Sequence, residues 1–448
     1  MKEINIKKYL TLILIHVLLG VMIFAVPAIC KIYNILIFIV GLGVIIKSQN
    51  KNQEVIMVAA YVVSAEVIMR MTEGIIFNEL AKYEVVFFMI IGMIYSGFSR
   101  NATPIWIYLL LLVPGIILST VTLDITTDIR KAITFNIVGP ICLAISGIYC
   151  YQRKLTQNQM DSVLLTMCFP IITTVTYMYL YTPNVKDVVT GTSSNFATSG
   201  GFGPNQVATI LGFGIFLFFI RTLFYSRNKI VLLINIFLLL LVTFRGIVTF
   251  SRGGVITGGV MILLLILKIF TVTNAKGRSK LLAFAGVAFF ALIAVWTYSS
   301  YQTGGMIEKR YANQDPAGRE KESQLSGRET LIETELQMFL DHPILGIGVG
   351  KNKEYREELT GVASASHNEI SRMLAEHGTL GIFAFLILIF TPVFLSLENK
   401  QHLYLFSFAI FWLLTINHAA MRLAAPAFIY ALSLLKIDSF EKPALHRE

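Results

Sequence analysis

Apolar residues run in blocks of about 17 to 25 positions, the length that crosses a bilayer as a helix, and short polar connections separate the blocks along most of the chain. The runs fall near residues 9–29, 32–46, 54–70, 83–99, 104–121, 132–150, 160–181, 206–225, 229–248, 254–272, 280–298, 379–397, 402–418 and 422–437. In lipid every backbone N–H and C=O must be satisfied within the segment, which leaves helices as the economical choice. The pattern therefore predicts an all-α polytopic membrane protein with 12–14 transmembrane helices. The count is a range because the second run and the last two are short, and the first pair also reads as one bent element with an interfacial piece. Either even count places both termini on one side.

One interruption is long. It divides the chain into a helix bundle over residues 1–298 (the first eleven spans), a large polar loop over 299–378, and C-terminal helices with a short tail over 379–448. The loop carries about half of the chain's acids and reads as folded. Within it, Leu331, Ile332, Leu336, Phe339 and Leu340 recur at helical spacing with Glu329, Glu333 and Glu335 opposite. That is an amphipathic helix suited to the bilayer surface, stopped by Pro343. Ala312 to Gly327, rich in Gln, Asp, Pro, Gly and Ser, reads as mobile.

Composition excludes a soluble globular protein: 55% of the 448 residues are hydrophobic and 14% charged, against a charged share of roughly 25% in ordinary soluble domains, and the mean hydropathy is +0.69. The net charge of +10, from 37 Lys and Arg against 27 Asp and Glu, reads as cytoplasmic loop charge and not as nucleic-acid binding, because the basic residues gather in alternate short connections. By that bias both termini are cytoplasmic and the long loop is outside. Cys30, Cys142, Cys150 and Cys168 have no CxxC spacing and no histidine cluster, so neither a disulfide nor a metal site is expected. The basic start, Met1 to Lys8, lacks an obvious cleavage site and reads as the opening of a retained first helix.

Four polar clusters fall on the predicted outer face. Thr198-Ser-Gly-Gly-Phe-Gly-Pro-Asn-Gln206 opens a span, and Asn205 there either caps the helix or binds a sugar hydroxyl. In Phe244-Arg-Gly-Ile-Val-Thr-Phe-Ser-Arg-Gly-Gly254, Arg245 and Arg252 either snorkel or grip a phosphate with paired donors. Ser326-Gly-Arg-Glu329 sets Arg328 at the start of the surface helix. In Ser366-His-Asn-Glu-Ile-Ser-Arg-Met-Leu-Ala-Glu-His-Gly378, helical spacing puts His367 one turn from Ser371 and Asn368 on a face with Arg372. His367 is either a satisfied surface histidine or a base, while Glu376 and His377 read as the polar collar of the next span.

Several arginines and one histidine converging on one face suit a reaction in which a phosphate or pyrophosphate departs and a hydroxyl attacks, the histidine taking the proton. Leu345-Gly-Ile-Gly-Val-Gly-Lys-Asn352 is not a phosphate-binding P-loop, since Leu345 and Asn352 stand where Gly and Ser or Thr are needed; it reads as a glycine-rich turn. Asp124, Asp128, Arg130 and Lys131 resemble an ion path, but intramembrane acids are sparse, with Glu66, Glu73 and Glu84 at or near span ends.

The Asn-containing turn, the Ser-Arg-Gly-Gly motif, the long loop, Gly-Arg at a helix start, Asp-His-Pro-Ile-Leu-Gly-Ile-Gly-Val-Gly, and His-Asn before Glu-His-Gly together resemble the O-antigen ligase and O-antigen polymerase family of bacterial envelope glycosyltransferases. The resemblance covers about residues 195 to 397; the first 180 residues match only as a hydrophobic pattern. One departure is that family members often carry an aromatic shortly after Gly-Arg, where this chain has Thr330 and Leu331.

The resemblance implies an active site on the periplasmic face of the inner membrane. It implies a glycan donor linked to undecaprenyl pyrophosphate, a lipid A core or lipid-linked glycan as acceptor, and no cofactor. By the same resemblance Arg252 and Arg328 contact the pyrophosphate and His367 activates the acceptor; Arg245, Asn205, Asn368 and Arg372 stand beside them as substrate-binding candidates. Membrane lipids are implied partners, a chain-length regulator is a further candidate, and nucleic acid is not a partner. A ligase, a polymerase using a lipid-linked repeat and a protein O-oligosaccharyltransferase differ only in the acceptor. A lipid-linked sugar transporter and an envelope scaffold are the readings outside enzymology.

Overall fold

The computed structural model describes residues 6–226, 228–321, 329–361, 363–419 and 421–438. All fourteen apolar runs correspond to helices: α1 Ile6–Ala25, α2 Ile29–Ser48, α3 Glu54–Met71, α4 Leu80–Ser96, α5 Thr103–Thr122, α6 Ile129–Cys150, α7 Gln157–Tyr181, α8 Pro204–Phe224, α9 Lys229–Ile247, α10 Arg252–Val272 and α11 Ala275–Gln302, then, past the long loop, α15 Glu369–Glu398, α16 Leu405–Ala419 and α17 Ala424–Ser433. Among the described residues ten of these are long and apolar enough to cross a membrane; α3, α4, α16 and α17 are not. The described residues of the loop hold three more helices, α12 Met306–Tyr311, α13 Glu329–Asp341 and α14 Asn352–Thr360. Among the described residues, sheet is confined to two short parallel strands, β1 Lys154–Thr156 and β2 Lys436–Asp438.

Glycine sets the closest helix crossing. Helix α10 lies across α8 with Gly254 and Gly258 against Ala208 and Gly212, so near that a Cβ added at Gly254 would run into the Ala208 carbonyl. Small residues four apart let backbones approach where apolar burial alone gives no net drive between helices in lipid. Gly254→Val is therefore expected to sharply reduce the yield of folded protein, whereas Gly259→Val, whose Cβ meets open space, retains it; size-exclusion profiles of the two detergent-solubilised variants check this.

α17 is ten residues long and buried throughout. It starts inside the bundle, where the Ala424 N–H donates to Glu66 Oε2 at 2.7 Å. Glu66 lies near the end of α3, as its sequence position suggested, and is fully buried there, where it also pairs with Arg70 at 2.7 Å. A carboxylate at a helix N-terminus satisfies both an orphan donor and the helix dipole. The break between α16 and α17 puts non-helical backbone against a polar cleft, the setting in which membrane proteins tolerate it.

The glycine-rich segment is an extended strap and not only a turn. Gly346, Gly348 and Gly350 adopt φ of 71°, 95° and 84°, a region L-residues with side chains rarely enter. The strap threads between α5 and α15: Ile347 N donates to Ala375 O at 2.9 Å, Val349 N to Gly115 O at 3.1 Å, and Gly350 N to Glu376 Oε1 at 2.8 Å. Glu376 is consequently buried and engaged, not a solvated collar. Gly378, at φ 60°, breaks α15 where the strap crosses it.

α13 departs from its expected face. Thr334, Glu335 and Met338 are buried while Leu336 and Leu340 stay exposed. The reason is a partner: Glu335 pairs with Arg356 of α14 at 2.6 Å and accepts the Ser371 hydroxyl of α15, and both members of the ion pair are buried. The helix turns one charged position inward and leaves its apolar edge outermost. Of the segment read as mobile, Ala312 to Lys321 forms a tight turn closed by a Gln314–Glu320 bridge and an Asp315–Arg319 ion pair of 2.8 Å; residues 322–327 lie outside the described residues.

Candidate functional site

Three of the four polar clusters meet at one end of the bundle, where α3, α7, α9, α11 and α16 end and α4, α8, α10, α15 and α17 begin. The tip of α8 stands between two of them. Asn205 is not the cap of α8, a place taken by Gly203; its Oδ1 instead accepts the Ser251 hydroxyl at 2.8 Å. The next residue, Gln206, faces the other way and accepts from Arg70 Nη1 at 3.1 Å.

On the Ser251 side, Phe250 at φ 61° turns the chain and Arg252 opens α10. Arg310 of α12 reaches back to donate to the Phe250 carbonyl at 3.0 Å. Lys321 completes the group: partial burial first, then the nearby charges of Arg310 and Arg252, lowers its ammonium pKa from the ordinary value. Burial pushes the Tyr311 hydroxyl up to about 12 against the opposing pull of the same two guanidiniums. Three cations from α10, α12 and the loop beyond it thus share one locality next to a helix N-terminus, an arrangement that favours a doubly charged anion. Arg310 and Lys321 were not singled out from sequence; nothing marks either as more than a loop charge until the chain folds.

Arg245 belongs to the wall of the site and not its surface. It is fully buried, 3.8 Å from the Tyr179 ring centroid, and donates to Thr182 O at 2.8 Å, so it neither snorkels nor meets a phosphate in this structure. Arg328 lies outside the described residues.

On the Gln206 side stands the His-Asn motif. His367 precedes α15 and is half-buried, so the helical pairing with Ser371 does not form. Asn368 is the N-cap, its Oδ1 accepting from Ile370 N at 2.9 Å and Ser371 N at 3.4 Å. This makes it a positioning residue that fixes where the histidine leaves the helix. Arg372, a buried member of α15, is held by Glu369 and by Glu376, the latter at 2.7 Å.

Arg422, in the break between α16 and α17, donates to Ser366 O at 2.9 Å. Its own carbonyl accepts from Arg70 Nη2 at 2.8 Å. A continuous chain of polar contacts therefore runs from Ser366 through Arg422, Arg70 and Gln206 to the tip of α8, and across it through Asn205 to Ser251 and Arg252. The histidine and arginine motifs, more than a hundred residues apart in sequence, share one scaffold.

Such a molecule is a polytopic helical membrane protein with a cationic locality and a capped histidine motif at one end of its bundle. Residues 236–386 match the family model described as O-Antigen ligase. The stretch from α9 into α15 is thus similar to the O-antigen ligase family, in agreement with the resemblance drawn from the motifs, and that similarity indicates a ligase or polymerase type of glycosyl transfer. No curated protein matches the chain.

Proposed function

We propose that this protein is an O-antigen ligase-type glycosyltransferase that moves a glycan from undecaprenyl pyrophosphate to a hydroxyl of the lipid A core. In this reading it works at the periplasmic face of the inner membrane with both termini in the cytoplasm. The observation that carries the reading is that one matched stretch, residues 236–386, contains Arg252, Arg310, Lys321, Arg328 and His367.

In the reaction the bond between the anomeric carbon and the pyrophosphate oxygen breaks while the acceptor oxygen bonds to that carbon. Direct displacement inverts the centre. Arg252, Arg310 and Lys321, together with Arg328 by the motif resemblance, stabilise the charge that develops on the leaving pyrophosphate. His367 takes the proton of the attacking hydroxyl, and Asn368 holds its position by capping α15. The cations provide the charge that a divalent metal supplies in other pyrophosphate chemistry, so the reaction proceeds without one.

The test is transfer by purified protein in nanodiscs, with an undecaprenyl pyrophosphate glycan as donor, lipid A core as acceptor and a chelator present. Wild type is expected to shift the lipid A core band, and His367→Ala to lose most of that shift, since removing a general base typically costs about 10²- to 10⁴-fold. Extension of the lipid-linked glycan with the core untouched replaces the ligase by a polymerase. Full transfer by His367→Ala removes the base from the mechanism.

A further inference from the structure

A polar groove lies beside the His-Asn motif, away from the arginine locality, and none of the roles above uses it. Its inner part is a cleft of about 150 Å³ bordered by Arg70, Gln206, Ser366 and Arg422. Its outer part, about 600 Å³, runs between the start of α6 and α14 past Lys131, Asn352 and Glu357. Phe135, Asn136 and Ser366 border both parts and make them continuous.

Three features say what the groove takes. Phe135 exposes 45% of its surface in a lining that mixes small apolar side chains, Ala132, Ala363 and Ala365, with amides and charges. An aromatic face of that kind offers a platform for the C–H face of a sugar ring. Next, Asn352 is 3% exposed, yet its Nδ2 has no hydrogen-bond partner. A buried donor left unmade is costly, and a turn of the amide toward the groove it borders lets an arriving hydroxyl satisfy it. Finally, the cations of the inner cleft are already engaged: Arg70 pairs with Glu66 and Arg372 with Glu369 and Glu376, while Lys82 and Arg422 donate to the backbone carbonyls of Met421 and Ser366. Engaged charges with carboxylates among them present both donors and acceptors, which suits hydroxyls, whereas a phosphate would face Glu79 and Glu369 as well as the cations.

We infer that this groove is the subsite for the sugar portion of the acceptor, a short hydroxyl-rich oligosaccharide seated on Phe135 with its reactive end at Ser366 and His367. The assignment rests on the transfer reading above and adds to it the direction of approach. The donor pyrophosphate sits on the Arg252 side of the α8 tip and the acceptor sugars on the Gln206 side. The two substrates thus meet the histidine motif from different flanks.

Binding tests the groove independently of catalysis. Full-length protein in nanodiscs is titrated with two delipidated glycans, lipid A core oligosaccharide and the repeat-unit oligosaccharide of the donor, and compared with Phe135→Ala, Asn352→Ala and Arg252→Ala. At least one glycan is expected to bind wild type, with Kd raised about tenfold in Phe135→Ala, equal to about 1.4 kcal/mol. A smaller rise is expected in Asn352→Ala and no change in Arg252→Ala. Phe135 is an exposed side chain, and thermal unfolding of the variant verifies its fold. Binding of neither glycan, equal binding by wild type and Phe135→Ala, or loss of binding in Arg252→Ala each overturns the subsite. Absence of transfer to either acceptor by wild type overturns the transfer reading and leaves the binding result standing, so the two failures are distinguishable.

Discussion

Replacing Arg252 by alanine is expected to lower glycan transfer by about 10²- to 10³-fold, the effect of deleting one preorganised donor to a developing oxyanion. The charge works where water is partly excluded: Arg252 is half-buried at the opening of α10, close to Arg310 and Lys321. Because the pyrophosphate gains charge as the glycosidic bond breaks, the loss falls on kcat more than on the donor KM. Arg252→Lys keeps the charge but not the paired donors, and is expected to recover part of the rate. Arg310→Ala serves as a contrast, because it also removes the bond to the Phe250 carbonyl that shapes the turn before α10; it is expected to cost stability as well as rate. Steady-state rates over a range of donor concentrations, with thermal unfolding of each variant alongside, decide the matter. An unchanged kcat in Arg252→Ala would remove that residue from the leaving-group role.

Glu335→Ala is expected to destabilise the outer loop by about 3–5 kcal/mol, the cost of leaving one member of a buried ion pair without the other. Arg356, 2% exposed, would keep its bonds to Thr334 and to the Ser364 carbonyl and lose the carboxylate it pairs with. The Ser371 hydroxyl would lose its acceptor in the same step. Since Arg356 and Ser371 flank the segment that carries His367, transfer is expected to fall along with stability, in contrast to Arg252→Ala, where rate falls and the fold stays. Glu335→Leu combined with Arg356→Met removes both charges and is expected to be milder than Glu335→Ala alone, a non-additivity diagnostic of direct pairing. Chemical denaturation followed by limited proteolysis within residues 341–369 measures it. A Glu335→Ala protein as stable as wild type would show that the pair contributes nothing to holding the loop.

Hydropathy alone located the helices because lipid imposes one rule on every span: the backbone must satisfy itself, and the side chains must be apolar over a fixed length. The short runs at 402–418 and 422–437 proved to be helices too short to cross alone, and the reason lies outside their own composition. α17 begins at Glu66, which a reading of α3 in isolation places at a span end. The motifs around Arg252 and His367 were legible because their residue types are costly near a membrane and call for an explanation. Their partners were not legible, since Arg70 and Arg422 meet across 352 residues of sequence and no local pattern announces such a contact.

What one strand of sequence carries, then, is local: the apolar period that makes α1 to α11 helical, the glycines that permit the strap, and the presence of arginine and histidine at helix ends. Choosing among the roles those residues can play took the packed chain. Asn205 and Asn368 share a residue type that caps helices, yet one bonds Ser251 across two helices and the other caps α15. Arg245 and Arg252 stand seven positions apart, yet one is sealed beneath Tyr179 and the other opens toward Arg310 and Lys321. Burial and partner decide the function of a charged side chain, and both are set by elements distant in sequence, which is why only the tertiary structure could assign them.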